Sequence, residues 1–202
     1  MGVNMSGNKN SHFFAMISRM KYINRWSLMR NTRSENLSEH SMEVACVAHA
    51  LVLLRNRRFG GSLNAERAAL LGLYHDAPES LTGDMPTPVK YHSRALREAY
   101  LSVEENACNT LIGLLPDDLK DDYRPFFFPR EDDKELWGFV KAADKICALI
   151  KCIEEEKAGN TEFKKAAGSL REAVAAMKLP EAKLFLDEFL PGFQLSLDEI
   201  KG

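Results

Sequence analysis

Apolar residues recur at alternating three- and four-residue spacing along much of this chain, and at a few places a histidine or an aspartate interrupts them. That spacing is one face of a packed α-helix, so the interruptions constrain the fold more than the pattern does. From Leu37 the stripe runs Leu37, Val44, Val47, Leu51 and Leu54, and His40 stands in the vacant place. Ala68, Leu71 and Gly72 lead the same way to His75, with Asp76 directly after it. Val140, Cys147 and Ala148 put Asp144 on or beside an apolar face. A polar group on a face destined for burial needs a partner, and a buried carboxylate needs a cation. Two imidazoles and two carboxylates on different helices meet that need by sharing one divalent metal ion. His75 and Asp76 are adjacent, so they converge only if their helix ends there, which Pro78 encourages.

Helical spacing dominates and strand-like alternation is nearly absent, which predicts an all-α fold with the metal site between helices. A chain of 202 residues is long enough for one well-buried domain and short for two. Residues 1–10 are polar and lack the apolar core of a signal peptide, so they read as a disordered extension, with the domain over residues 11–202. A first helix is expected over residues 13–22, with His12 in it. Asn36 and Glu39 resemble a capping box for the helix carrying His40. Gly60-Gly61-Ser62 breaks the chain, and Asn64 caps a helix running to His75. Residues 77–81 make one turn and 83–87 a loop. Thr87-Pro88 is an N-cap and first-position pair for a long helix reaching about Leu115. Residues 116–129 form an interrupted connection. A long helix over residues 132–157 then carries Asp144 and stops at Gly159. Two more helices follow over 160–178 and 180–190, and Ser196 with Glu199 caps a short last one.

The net charge is −2, with Lys and Arg scattered, which argues against a nucleic-acid polymer or a membrane as partner and leaves room for a local phosphate pocket. No uninterrupted apolar run approaches the roughly 20 residues of a membrane span. Cys46, Cys108, Cys147 and Cys152 lie in apolar helical patterns with no C-x-x-C among them. They are expected to be buried free thiols in a reducing cytoplasm. Nitrogen and oxygen ligands without thiolates suit zinc, manganese, cobalt or iron better than calcium. Four protein ligands leave positions open for water and substrate, and such a metal acidifies water and neutralises a phosphate oxygen. His49 and His92 lie outside the pattern and read as surface or satisfied histidines. Lys90, Arg94 and Arg97 read as a solvated helix face. Phe126-Phe127-Phe128 is either core or a contact between copies.

His40, the His75-Asp76 pair and Asp144 resemble the H…HD…D signature of the HD-domain metal-dependent phosphohydrolases. The longer context resembles the bacterial HD-domain 5'-deoxynucleotidases: Phe13-Phe14-Ala15, Ile23-Asn24-Arg25-Trp26, Glu35-Asn36, Ser38-Glu39-His40-Ser41 and Tyr74-His75-Asp76-Ala77. So do Leu81-Thr82-Gly83-Asp84, Pro86-Thr87-Pro88-Val89-Lys90 and Leu195-Ser196-Leu197-Asp198-Glu199-Ile200. The likeness runs from about Ser11 onward. It departs in the N-terminal extension, in residues 126–131, and at Pro78, which stands where a small residue is expected.

The resemblance implies hydrolysis of a deoxyribonucleoside 5'-monophosphate to deoxyribonucleoside and phosphate, by a homodimer. It implies one divalent transition metal (cobalt, manganese, zinc or similar) held by His40, His75, Asp76 and Asp144. Glu79, one turn after Asp76, becomes the general acid/base; a solvated surface glutamate is the plain alternative. Arg25 grips the phosphate with its guanidinium fork, although exposed arginines are commonplace. Trp26 walls the sugar against a 2'-hydroxyl, where an ordinary core tryptophan is the alternative. Asp84 accepts from the sugar 3'-hydroxyl, and Met85, Pro86 and Thr87 complete a substrate loop that Pro86 and Pro88 stiffen. One rival reading is an HD-type nucleotide hydrolase without deoxy specificity. Another is a non-catalytic metal- or nucleotide-binding module, which would have no need of Glu79 or Arg25.

Overall fold

A short helix, α1 (Phe13–Ile17), tightens into a 3-10 turn over Ser18–Tyr22, so the expected first helix is continuous in path but changes its winding halfway. His12 stands just before it and is exposed. The computed structural model describes residues 10–90 and 92–201, and residues 1–9 of the expected extension lie outside them. Among the described residues there is no strand, only one antiparallel bridge between Asn24 and Asn36.

α2 (Leu37–Arg58) starts where expected. The Asn36 side chain accepts from the backbone N–H groups of Ser38 and Glu39 at 3.0 Å each, and Glu39 returns the bond to Asn36 N–H at 3.3 Å. Three N–H groups at this end thereby gain acceptors. α2 is long and apolar enough to cross a membrane by length and composition, yet half of that apolar window is buried inside the protein. It is packed as a core helix, with Val44, Ala48, Leu51 and Val52 fully covered. Gly60, at φ +74°, turns the chain out of α2 in a conformation suited to glycine.

α3 (Ala65–Tyr74), capped by the Asn64 side chain on Arg67 N–H, lies against α2. Gly72 lets them come close: a Cβ there would sit 3.0 Å from Ala45 Cα. α4 (Glu79–Thr82) is one turn and α5 (Thr87–Lys90) another. The single long helix expected from Thr87 to Leu115 is therefore not formed. Ser93 is extended, at φ −148° and ψ 158°, and its hydroxyl accepts from Leu96 N–H at 3.2 Å, starting a new helix, α6 (Arg94–Gly113). The serine cap outcompetes continuation from Thr87-Pro88.

α7 (Lys120–Phe127) lies in the interrupted connection, and α8 (Lys134–Lys157) is the long helix expected to carry Asp144. α9 (Lys164–Ala176), α10 (Pro180–Glu188) and α11 (Leu197–Ile200) complete the chain. α2, α3 and α8 pack on one another, with α9 and α10 closing the outer side around Phe163, Val174, Ala182 and Phe185. A smaller core gathers Phe13, Met20, Leu37, Ala77, Leu111 and Phe127 beneath α1, α6 and α7. Phe127 is thus core, with Phe126 and Phe128 half-buried against the same cluster.

Three cysteines, Cys108, Cys147 and Cys152, are buried free thiols, whereas Cys46 is exposed, against expectation. Val44, Val47 and Leu51 define the inner face of α2, and Cys46 falls between them, on the outer side.

Candidate functional site

His40 sits one turn into α2 and is fully buried, so its ring is fixed by packing rather than by solvent. α3 ends at Tyr74, with His75 as its C-cap. The chain then tightens through i→i+3 bonds from Ala77 N–H to Tyr74 O at 3.1 Å and from Glu79 N–H to Asp76 O at 3.0 Å. This tight turn before α4 brings two adjacent side chains to one place, as a continuing helix could not. His75 Nε2 stands 3.1 Å from Asp76 Oδ2, and His40 Nε2 stands 3.7 Å from the same oxygen. From α8, Asp144 Oδ1 reaches His40 Nε2 at 3.2 Å.

Ligand-type atoms of His40, His75 and Asp76 all lie within 4.8 Å of one another. His75 Nδ1 is 2.7 Å from the Gly72 carbonyl, which makes Nδ1 the donor and leaves the Nε2 lone pair facing the cluster. Nε2 is buried without a hydrogen-bond partner. A buried lone pair aimed at carboxylates is the donor set a divalent ion wants, so these residues fit a metal. Burial opposes charge on His75, but Asp76, Asp144 and the Gly72 carbonyl together outweigh it and raise the imidazole pKa; Asp76 itself is held well below the carboxylate range by the two histidines and Arg25, against its own burial. The Asp144 carboxyl is likewise lowered, by His40 and His75 against its burial.

Glu79 opens α4 with 8% of its surface exposed, and its Oε2 has no hydrogen-bond partner. Burial foremost, with repulsion from Asp76 and Asp84, pushes its carboxyl up to about 9. Burial also raises Asp84.

Arg25 comes from the segment between the first helical run and α2. Its Nη1 donates to Asp76 Oδ2 at 3.1 Å, and its Nε donates to Glu35 Oε2 at 3.0 Å. Burial works against its charge, and Asp76, Asp144, Glu35 and Asp84 more than restore it. Trp26 has φ +58°, an uncommon left-handed conformation for a bulky residue. Four contacts hold it there. Its indole N–H donates to Glu35 Oε2 at 3.0 Å, its carbonyl accepts from Met29 N–H at 2.9 Å and from Asn31 Nδ2 at 3.2 Å, and its ring lies 5.4 Å from that of Phe163. Met85 and Pro86 are half-buried between α4 and α5, and Thr87 is exposed.

Sequence reasoning gave Glu35 no role, yet one of its oxygens orients both Arg25 and Trp26. Nothing in spacing could have exposed this, because the donors sit ten and nine residues from the acceptor and are brought to it where the chain pairs at the Asn24–Asn36 bridge. Lys90 is not the solvated charge expected. Its ammonium lies 2.6 Å from Glu104 and 4.4 Å from the Tyr100 ring centroid.

A family described as 5'-deoxynucleotidase YfbR-like matches residues 12–193. The chain belongs to that family. A 5'-deoxynucleotidase of Klebsiella pneumoniae is 52% identical over 190 residues, covering 94% of this chain and 96% of that one. The 5'-deoxynucleotidase YfbR of Salmonella typhi is 52% identical over 192 residues, covering 95% and 96%. Among solved structures, an HD-domain phosphohydrolase of Listeria innocua superposes with a TM-score of 0.76 at 24% identity, over 94% of this chain and 91% of that one. The cyanophage S-2L HD phosphohydrolase DatZ, bound to dA and one catalytic Zn2+ ion, has a TM-score of 0.57 at 19% identity, covering 93% and 95%. These two likenesses establish the HD fold over nearly the full length of the chain.

Proposed function

We propose that this protein is a metal-dependent 5'-deoxynucleotidase, hydrolysing deoxyribonucleoside 5'-monophosphates to deoxyribonucleoside and phosphate. The observation that carries the reading is the meeting of His40, His75 and Asp76 within 4.8 Å, with Nε2 of His75 unpartnered, in a chain of the 5'-deoxynucleotidase YfbR-like family. His40, His75, Asp76 and Asp144 would hold one divalent transition metal: cobalt, manganese, zinc or similar. When bound, that ion supplies positive charge to a phosphate oxygen and acidity to water.

The chain's own groups do the rest. Arg25, buried and oriented by Glu35, grips the phosphate. Glu79 orients the attacking water, takes its proton and passes one to the departing 5'-oxygen; its raised pKa suits the second, proton-donating role. Asp84 accepts from the 3'-hydroxyl, and Met85, Pro86 and Thr87 border the sugar. Trp26, held rigid by Glu35 and Phe163, leaves no room for a 2'-hydroxyl. The protein works in the cytoplasm as a homodimer, for which exposed Met42 and Leu53 on α2 and Leu70 and Leu73 on α3 offer apolar surface.

The deciding experiment is phosphate release from metal-stripped protein resupplied with cobalt, manganese, zinc or magnesium. Deoxyribo- and ribonucleoside 5'-monophosphates and a 3'-monophosphate are compared, with Glu79→Ala and Trp26→Ala alongside. Metal-dependent release from the deoxy 5'-monophosphate, abolished by Glu79→Ala and made ribose-tolerant by Trp26→Ala, is the expected result. Tight metal binding with no turnover of any substrate would leave a binding module instead.

A further inference from the structure

The turn that follows the substrate loop buries no apolar side chain. α5 closes on itself through Val89 N–H and Lys90 N–H, which bond Pro86 O at 2.8 and 3.1 Å. Thr87, Pro88 and Val89 are exposed, and Lys90 alone in the turn is half-buried. At the other end of the loop Gly83 leaves α4 at φ +74°, with nothing within 4 Å of where a Cβ would stand. One turn of helix is not stable by itself, and without apolar burial it has little to hold it against the protein.

Lys90 supplies the attachment. α6 presents Tyr100 and Glu104 one turn apart on the same face. The Lys90 ammonium enters between them, donating to Glu104 Oε1 at 2.6 Å and lying 4.4 Å from the centre of the Tyr100 ring. Tyr100 is itself buried, so the ring is a fixed wall. A cation held by a carboxylate and a ring face gains from both, and the more so away from water. Glu104 has its own need of that charge. It lines a cavity of about 240 Å3 whose walls also carry Asp76, Glu79 and Glu105, and among those carboxylates an unpaired Glu104 would be repelled. α6 packs on α4 as well as on α5, so the helix that receives Lys90 also supports the turn carrying Glu79.

We propose that Lys90 is a positioning residue: docked between Tyr100 and Glu104 of α6, it sets where residues 84–87 stand and thereby aims Asp84 at the sugar 3'-hydroxyl. Lys90 meets no reacting atom and acts through the loop alone. The inference rests on the deoxynucleotidase reading. An ordinary surface ion pair would leave substrate binding untouched, and that difference is measurable.

The test uses the metal-loaded enzyme with dAMP and with the 2',3'-dideoxy monophosphate of adenosine, which lacks the 3'-hydroxyl. Lys90→Met, Lys90→Arg and Glu104→Gln are compared with the parent. Losing one hydrogen bond to a charged group corresponds to roughly ten- to a hundred-fold in affinity. We expect the dAMP KM to rise about tenfold in Lys90→Met and in Glu104→Gln with kcat nearly unchanged. Lys90→Arg keeps a cation over the ring and should restore the parent KM. The KM for the dideoxy substrate should stay level in all three, because the loop then has no hydroxyl to meet. Amide exchange over residues 84–90 should quicken in Lys90→Met while α2, α3 and α8 keep the parent rates. An unchanged dAMP KM in Lys90→Met would overturn the assignment, as would an equal rise for the dideoxy substrate or a fall in kcat at constant KM. Should no deoxynucleotide release phosphate, the nucleotidase reading fails, and exchange over residues 84–90 still decides whether Lys90 fastens the loop.

Discussion

Replacing Glu155 by Gln tests how the segment that carries Arg25 and Trp26 is held to the core. Glu155 is 1% exposed, and every hydrogen bond it accepts is internal. Its Oε2 accepts from Thr32 N–H at 2.8 Å, Thr32 Oγ1 at 2.6 Å and Asn160 Nδ2 at 2.8 Å. Its Oε1 accepts from Arg33 N–H at 3.2 Å and from the ammonium of Lys151, which is itself 5% exposed and also donates to the Arg33 carbonyl. Removing one partner of a buried pair costs about 3–5 kcal/mol, because the other charge stays buried without compensation. Gln keeps the shape and one acceptor, so the lower end, about 3 kcal/mol, applies. For a chain of this size that lowers Tm by about 6–12 °C.

Urea unfolding followed by far-UV circular dichroism reads the effect as a lower midpoint at unchanged slope. The double variant Glu155→Leu with Lys151→Met removes both charges together. It should recover most of the charge penalty, while the Thr32 and Arg33 N–H groups, the Thr32 hydroxyl, Asn160 Nδ2 and the Arg33 carbonyl lose a partner and limit the recovery. A Glu155→Gln protein within 1 kcal/mol of the parent would refute the reasoning, because it would mean that water already serves Lys151.

The same pair makes stability depend on pH. Burial acts to raise the Glu155 carboxyl, and the bonds from Lys151, Thr32 and Asn160 overcome it, holding the pKa below the ordinary value; Arg67 lowers Asp133 in the same way. Their contributions are complete above the unfolded values near about 4 and drain away as pH falls toward the folded ones, so the urea midpoint should drop below about pH 4. Gly72→Ala drives a Cβ to 3.0 Å from Ala45 Cα and 3.1 Å from its nitrogen, so α3 must move off α2 at about 1–3 kcal/mol, and calorimetry should show weaker metal binding as His75 shifts. Glu35→Gln loosens Arg25 and Trp26 together without touching the cluster. It should raise the deoxynucleotide KM roughly tenfold while leaving kcat nearly unchanged, as expected when a charge-assisted bond is lost. A thiol reagent at neutral pH should label Cys46 alone in the native protein and all four cysteines in denaturant, since Cys108, Cys147 and Cys152 are buried and burial pushes their thiols up.

His40 and His75 were legible in the sequence because burial contradicts their chemistry. A histidine in an apolar stripe announces a partner, and the stripe itself says which helix brings it. The helix end at Tyr74 was legible from Pro78, and the start of α2 from Asn36 and Glu39. The break at Ser93 was not, because Thr87-Pro88 and Ser93 are both competent caps and only packing of α6 against α4 and α7 selects the second. Cys46 misled because the stripe of α2 is narrow, and a small apolar residue beside it looks the same inward or outward. Lys90 misled because its partner Glu104 is on the next helix, across a break that the sequence did not announce. Glu35 and the Lys151–Glu155 pair belong to contacts between segments far apart in the chain, which no local spacing encodes.

The segment that carries Arg25 and Trp26 looks like a loop but is tied down along its length. Arg25 N–H bonds Glu35 O at 2.9 Å and Leu37 N–H bonds Ile23 O at 3.0 Å, closing its neck. Glu155 holds Thr32 and Arg33, and Asn160 Nδ2 holds the Arg30 carbonyl at 2.7 Å. Such a segment has no hinge, so amide exchange at Arg25 and Leu37 should follow the slow opening of the core rather than the fast breathing of a surface loop. On the proposed function, turnover is then not gated from this side. Exchange of one nucleotide for another has to be accomplished around a fixed grip, and a change of substrate during divergence would come through side chains at its margin rather than through its length.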